Sequence, residues 1–148
     1  MKRICVITAC VLWLSAAPAY AQSAPSPVLN NVKYDDASRI KLNGVVEDIE
    51  QRSLGGTCKA PGVFLIVKAN GQDFAVQVGP KWFIDELQWT FNKGDKLEVT
   101  GWKIAKQDSN EVMVRKITRG DWSLEPRGDA GAANWLWMTA PKDSGKCT

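Results

Sequence analysis

Three runs between residues 39 and 78 have the apolar and polar patterns of β-strands. Residues 39–50 alternate, and the alternation changes phase beside Gly44, which predicts a bulge or sharp bend in a long strand. Residues 63–69 are almost wholly apolar and residues 73–78 alternate again. Asn70-Gly71 stands between them and predicts a tight hairpin, because both turn positions require a positive φ. The pattern therefore predicts three strands, the last two joined by this hairpin.

A short helix is predicted directly after the third strand. Pro80 suits the first helical position, where the missing N–H of proline costs nothing. Phe83, Ile84 and Leu87 then fall on one face at helical spacing. We expect that face to close one end of the sheet.

Two further strands are predicted, at residues 96–104 and 111–118, and the first of them changes phase at Gly101. Three strands, a helix and two strands follow one another in the order of an OB-fold. The predicted fold is therefore all-β: a five-stranded OB-fold β-barrel with one short helix between strands 3 and 4.

The barrel is expected to span residues 39–120, with different segments on either side. Residues 1–21 have a basic start, an apolar run and a small-residue end, so they predict a signal peptide cleaved after Ala21. Residues 22–38 are rich in Ser, Pro and Asn and predict a flexible N-terminal arm. Residues 121–148 predict an irregular C-terminal tail that packs on the barrel through its aromatic side chains. The chain is thus expected to be a periplasmic or secreted bacterial protein, with no membrane span after cleavage.

Loss of the signal peptide changes both the charge and the cysteine content. The formal charge falls from +3 to +1 once Lys2 and Arg3 are removed, so general attraction to nucleic acid is not expected. Cys58 and Cys147 remain, in a compartment that permits disulfides. We predict a disulfide bond that fastens the tail to an early loop. A redox pair or a soft-metal site is the alternative interpretation of the same two residues.

Two stretches of the sequence resemble a group of known proteins. These are Gly79-Pro80-Lys81-Trp82-Phe83 and Gly94-Asp95-Lys96-Leu97-Glu98-Val99-Thr100-Gly101. They resemble small exported bacterial OB-fold proteins, distantly similar to the periplasmic bacterial OB-fold family. The resemblance covers about residues 40–120 and implies a fold and a compartment rather than an activity. Gln77 stands where that pattern has a histidine, so no metal or acid–base role is carried over to this position.

The chemistry available to the chain argues against an enzyme. The sequence has no histidine, which removes the usual general base and the commonest zinc ligand. No nucleophile-elbow, phosphate-loop or dinucleotide motif occurs either. Glu47 and Asp48 are neighbours on a predicted strand, so their side chains point to opposite faces and cannot act as a pair. We therefore predict a non-enzymatic protein without a cofactor or a bound metal.

The high tryptophan content is the most informative feature of the composition. Six of the seven tryptophans lie beyond the signal peptide. Trp82 is assigned to the core. Trp102 lies beyond the predicted bulge and beside Lys103, which favours an exposed stacking platform. Arg115 and Lys116 on the neighbouring strand would add positive charge. The predicted ligand-binding set is therefore Trp102, Lys103, Arg115 and Lys116.

Three functions are compatible with these features. The first is a non-enzymatic exported OB-fold module that engages a small ligand or a protein partner in the bacterial envelope. The second is binding of single-stranded nucleic acid or oligosaccharide through the Trp102 set. The third is an accessory subunit of an envelope redox or metal-handling system that uses Cys58 and Cys147. Two Arg-Gly-Asp tripeptides, at 119–121 and 127–129, are interpreted as ordinary charged turns rather than adhesive motifs.

Overall fold

The computed structural model describes residues 32–55, 59–104, 110–142 and 145. Most of these residues form β-strands, with one short α-helix and one 3₁₀ helix. In chain order the elements are β1 (Arg39–Ser53), β2 (Pro61–Ala69), β3 (Gln72–Pro80), α1 (Lys81–Glu86), β4 (Lys96–Lys103), β5 (Glu111–Arg119), β6 (Trp122–Leu124) and the 3₁₀ helix Asn134–Trp137. The all-β class with one short helix is confirmed, and β6 is a strand that the sequence pattern did not predict.

The strands form one mostly antiparallel sheet. Their order is β3-β2-β1-β4-β5-β6, and β3 also pairs with β5 in parallel, through residues 75–77 and 111–113. The pairings therefore run in a closed circuit, from β1 through β2, β3, β5 and β4 back to β1. Strand β1 makes the circuit possible because it is 15 residues long and pairs first with β4 and then with β2.

Gly44 allows a close approach between strands, but the bulge in β1 lies elsewhere. The register of β1 against β2 shifts between Val46 and Asp48, so a bulge at Gly44 itself was the wrong prediction. A Cβ at Gly44 would lie 2.5 Å from the carbonyl oxygen of Lys68, far inside van der Waals contact. Gly44 is thus required for a close approach of β1 to β2, immediately before Val45 pairs with both neighbouring strands.

The second predicted irregularity is confirmed at Gly101. The register of β4 against β5 shifts between Thr100 and Gly101. Thr100 pairs with Lys116 and Gly101 with Val114, so the extra residue lies in β5. A Cβ at Gly101 would overlap the carbonyl oxygen of Met113.

The hairpin between β2 and β3 forms where the sequence predicts it. Asn70 and Gly71 have φ values of 52° and 75°, and Ala69 pairs with Gln72 across the turn. These positive values are those that an Asn-Gly turn supplies at low cost.

Helix α1 begins one residue later than predicted. Pro80 has an extended backbone, with φ −61° and ψ 139°, and is the N-cap rather than the first helical residue. Trp82, Phe83 and Ile84 are buried, whereas Leu87 is 43% exposed. Leu87 misses the predicted face because the helix ends at Glu86 and cannot carry the helical spacing further.

The buried side chains form two clusters of unequal size. The main core lies between the strands, under α1 and the 3₁₀ helix, and contains Trp82, Phe83 and Trp135 with the inward residues of all the strands. The smaller cluster contains Val32, Trp102, Ile104 and Met113, with Tyr34 packed against it. The smaller cluster is the one that contains a predicted binding residue.

Candidate functional site

The four predicted binding residues lie on the adjacent strands β4 and β5. Trp102 pairs with Met113 and Lys103 with Val112, while Lys116 pairs with Thr100 one step beyond the bulge. The sequence thus predicted their proximity correctly. Their accessibility to a ligand was not predicted correctly for all four.

Trp102 is fully buried, so an exposed stacking platform was the wrong prediction. Its exposed fraction is 0%. The Tyr34 ring stands edge-on to the indole, with ring centroids 5.0 Å apart and an angle of 86° between the ring planes. Val32 is buried in the same cluster. The predicted flexible arm at 22–38 therefore does not hold for Val32 and Tyr34, which pack on β4 and β5; residues 22–31 lie outside the described part of the chain.

The polar atoms of this cluster are poorly matched. Trp102 Nε1 is buried and has no hydrogen-bond acceptor among the described residues. Tyr34 Oη donates to Met113 Sδ at 3.2 Å, and a thioether sulfur is a weak acceptor. Burial raises the pKa of the Tyr34 phenol, an effect that Arg127 partly opposes. The phenol is therefore neutral and a donor at physiological pH.

Arg115 and Lys116 are engaged by acidic residues of the tail. Arg115 Nε donates to an Asp129 carboxylate oxygen, and its Nη1 lies 3.9 Å from Glu125 Oε1. Lys116 Nζ lies 3.3 Å from the same Glu125 oxygen. The bond to Asp129 raises the pKa of Arg115 and lowers that of Asp129. Both cations are thus largely compensated within the chain.

Lys103 differs from the other two cations. Its side chain is exposed, and no ion pair joins it to any residue that the structure describes. Its backbone N–H donates to the Ser38 carbonyl at 2.7 Å, which fixes Lys103 at the edge of the Trp102 cluster. Lys103 follows Trp102 on β4, and since successive residues of a strand point to opposite faces, its side chain lies on the other face from the indole. The cation next to Tyr34 in sequence is Lys33.

The buried residue that sequence reasoning missed is Arg127, which is only 4% exposed. Its Nη1 donates to the carbonyl oxygens of Val78 at 3.1 Å and Val114 at 3.0 Å. The guanidinium lies 4.6 Å from the centroid of the Trp135 ring. Burial lowers the pKa of Arg127 to about 10, so the group stays charged at neutral pH.

The first Arg-Gly-Asp tripeptide is also tied into the fold. Arg119 Nη1 donates to the Thr90 carbonyl at 2.6 Å and to Asp95 Oδ2 at 2.7 Å. The guanidinium lies 5.2 Å from the centroid of the Trp89 ring. Since the arginines of both tripeptides are engaged within the chain, neither is presented as an adhesive motif.

Two tail tryptophans are the most exposed large apolar side chains among the described residues. Trp137 is 81% exposed and Trp122 is 73% exposed, with Leu136 at 41% beside the former. Leu124 and Trp135 are buried, so the tail packs through some of its predicted aromatic and aliphatic residues only. Exposed tryptophans of this kind are enriched at protein interfaces.

An open groove of about 490 Å³ crosses β1, β4 and β5. Its lining is mixed, with Val45 beside polar side chains such as Asn43, Lys96 and Thr118. None of the four predicted binding residues lines it. The groove is therefore separate from the Trp102 cluster.

The described residues contain neither a candidate metal cluster nor a helix that could span a membrane. They contain no group of three or more His, Cys, Asp or Glu side chains that could hold a metal ion. Cys58 and Cys147 lie outside the described residues, so the predicted disulfide stays a prediction. No helix in the described ranges is long and apolar enough to cross a membrane.

Comparison with known proteins gives one match. Searches of curated proteins and of solved structures found no match to the chain. Residues 38–124, which extend from the start of β1 to the end of β6, match the model of a family described as the MamS/MamX magnetosome protein family. Because this match covers more than half of the sequence, the chain belongs to the MamS/MamX magnetosome protein family.

Proposed function

We propose that this chain is a non-enzymatic, exported OB-fold binding module that engages a protein partner in the bacterial envelope. The closed circuit of pairings from β1 through β2, β3, β5 and β4 supports the fold, since an OB-fold has this connectivity with a helix between its third and fourth strands. The signal-peptide pattern of residues 1–21 supports export. The family description supports a setting in the magnetosome.

The observation that carries the proposal is the exposure of Trp137 on an anchored support. Trp135, two residues earlier in the same 3₁₀ helix, packs against Phe83 with ring centroids 5.6 Å apart. The Arg127 guanidinium lies on the Trp135 ring. The backbone that carries Trp137 is thus fixed before any partner arrives, which lowers the entropy cost of binding.

A protein partner fits this surface better than a small ligand. Leu136 and Trp137 are both exposed on the 3₁₀ helix, and neither lines the groove across β1, β4 and β5. Ligand sites for small molecules are concave, whereas tryptophan side chains that project from a surface are typical anchors of protein interfaces. Trp122 would add a second anchor if the same partner reaches β6.

The test is a comparison of capture by two variants. The purified protein is immobilised, and envelope extract of the source bacterium is passed over wild type, Trp137→Ala and Leu87→Ala. Leu87 is the matched control because it is an exposed apolar residue at the end of α1, outside the 3₁₀ helix. We expect a captured protein that is lost with Trp137→Ala and kept with Leu87→Ala. Equal capture by all three proteins would contradict the proposal.

Nucleic-acid binding through the predicted Trp102 set has less support. The indole is covered by Tyr34, and Arg115 and Lys116 are compensated by acidic side chains. The redox or metal-handling alternative depends on Cys58 and Cys147, which lie outside the described residues. Labelling of free thiols tests it.

A further inference from the structure

Residues 32–38 form a strap that covers the outer face of β4 and β5. Val32 is buried and Tyr34 packs edge-on against Trp102. At its end, the strap joins the sheet where the Ser38 carbonyl accepts the N–H of Lys103. Beyond that bond, β1 begins and Arg39 pairs with Trp102.

Beneath the strap lies an apolar socket made by Trp102, Ile104 and Met113. Val112 and Val114 belong to the main core, and successive residues of a strand point to opposite faces, so Met113 points away from that core. The socket is therefore a separate apolar patch on the outside of the sheet. In this structure Val32 and Tyr34 fill it.

The Tyr34 ring also lies against Gly131 of the tail, where an added Cβ would overlap it. The acidic side chains of the strap, by contrast, make local contacts. The Asp35 carboxylate accepts bonds from the Ser38 N–H at 2.9 Å and from Ser38 Oγ at 2.8 Å, so it serves only the local turn. Asp36 pairs at 3.4 Å with Arg39, three residues on, and its side chain is 96% exposed. Release of the strap would therefore leave the strand pairings of the sheet intact.

The polar match between strap and socket is incomplete. The Trp102 indole N–H has no acceptor among the described residues, and the Tyr34 hydroxyl has a thioether as its acceptor. A bound segment that offers a carbonyl or carboxylate oxygen to the indole would satisfy the buried donor.

We propose that the socket is a recognition site for an extended peptide segment that presents a tyrosine. The strap occupies the site in cis through Val32 and Tyr34 and is itself the template for such a segment. This inference rests on the proposed function, because it names a site and a partner chemistry for the same binding module. A tethered strap competes at an effective concentration on the order of millimolar, so a partner must displace it.

The test uses the strap sequence as the probe. A fluorescent peptide of residues 31–38 is titrated into the full protein as wild type, Tyr34→Ala and Tyr34→Phe, with anisotropy as the readout. Tyr34→Ala vacates the socket, so we expect it to bind the peptide at least about tenfold more tightly than wild type. Tyr34→Phe keeps the ring in place and should bind as weakly as wild type. A peptide with alanine in place of its tyrosine should bind none of the three proteins.

Two outcomes would overturn the inference. One is a Tyr34→Ala protein that keeps the wild-type far-ultraviolet circular dichroism and binds no peptide. The other is equal binding of the peptides with and without tyrosine. If Tyr34→Ala does not fold, Tyr34→Leu takes its place, and a smaller gain in peptide affinity is expected because leucine still fills part of the socket. No gain over wild type would then overturn the inference.

The two proposals fail in different ways. Partner capture that depends on Trp137, together with no peptide binding by Tyr34→Ala, would refute the socket and leave the binding module standing. Peptide binding by Tyr34→Ala without Trp137-dependent capture would refute the Trp137 surface instead.

Discussion

Arg127 is a buried cation whose described hydrogen bonds go to carbonyl oxygens rather than to a carboxylate. The parallel pairing of β3 with β5 ends where Gln77 pairs with Met113. Val78 and Val114 come next on the two strands, and one nitrogen of Arg127 binds both of their carbonyls. The side chain thus continues the connection between β3 and β5 beyond the last backbone pair.

We predict that Arg127→Met lowers the free energy of unfolding by about 2–4 kcal/mol. The change fills similar volume but leaves two buried carbonyl oxygens without their donor and removes the cation from Trp135. Arg119→Met is the matched control, because Arg119 starts the other Arg-Gly-Asp tripeptide and its side chain is 31% exposed. We expect Arg119→Met to cost about 1 kcal/mol or less. Urea unfolding measures both, and equal losses would show that burial of Arg127 does not matter.

The ion pair of Arg115 and Asp129 gives a pH dependence of known sign. The bond from Arg115 lowers the pKa of Asp129 in the folded state, so the folded protein holds the Asp129 proton less tightly than the unfolded chain does. Asp129 therefore contributes stability above its unfolded pKa of about 4, and loses it as the pH falls through the lower folded value. We predict that Asp129→Asn lowers the melting temperature slightly at pH 7. The difference from wild type should shrink as the pH falls below about 4. A difference that grows as the pH falls would contradict this assignment.

At the scale of elements, a strand or turn is predicted by residues that lie within it or next to it in sequence. A continuous apolar run predicts β2, alternation predicts β3, and Asn70-Gly71 predicts the turn between them, because each signal depends only on neighbouring residues. Strand β6 was missed because it has three residues, too few for alternation to show. The turn before β6 did have a sequence signal, because Gly120-Asp121 form the two-residue connection between Arg119 and Trp122. In the structure, Gly120 has a positive φ of 59°.

At Gly44, the sequence pattern indicates an irregular strand but does not show its structural cause. The phase change beside it marked a bend, but the reason is the close approach of the Lys68 carbonyl, a contact across strands that no pattern reveals. We predict that Gly44→Ala lowers the free energy of unfolding by roughly 1–3 kcal/mol, because the added methyl group has no room without a shift of the backbone.

Gly128→Ala is the control for Gly44→Ala. A Cβ at Gly128 would meet its nearest atom, the Ala132 carbonyl oxygen, at 3.9 Å, which is ordinary contact. We expect a change of less than about 0.5 kcal/mol there. Chemical unfolding of both variants under the same conditions decides the matter, and a neutral Gly44→Ala would show that β1 can move away from β2.

At the scale of the whole molecule, the two ends of the chain determine which aromatic residues are accessible. The strap buries Trp102 and the tail buries Trp135, while Trp122 and Trp137 stay exposed. Strand alternation predicts which face a residue is on, but it cannot predict what distant segment covers that face. This is why the position of Trp102 beside Lys103, Arg115 and Lys116 was predictable and its burial was not.

The C-terminal tail also returns to the loop after β1. A Cβ at Gly145 would lie 2.9 Å from the Ala60 backbone nitrogen and 3.0 Å from the Lys59 carbonyl carbon, so described residues close in sequence to the two predicted disulfide partners are in contact. Cys58 precedes Ala60 by two residues and Cys147 follows Gly145 by two. This proximity favours the disulfide over two independent thiols, although the cysteines themselves lie outside the described residues.

We predict that neither Cys58 nor Cys147 reacts with a thiol-specific label in protein purified from an oxidising compartment, until the protein is denatured and reduced. The bond would close a long loop, so the Cys58→Ser and Cys147→Ser variants should each lose about 2–5 kcal/mol of stability, and the double variant no more than either. Mass spectrometry after labelling counts the free thiols, and urea unfolding gives the losses. Free labelling of both cysteines without reductant, with additive losses in the double variant, would refute the disulfide. It would favour the accessory redox or metal-handling function, because exposed reduced thiols are what such a function requires.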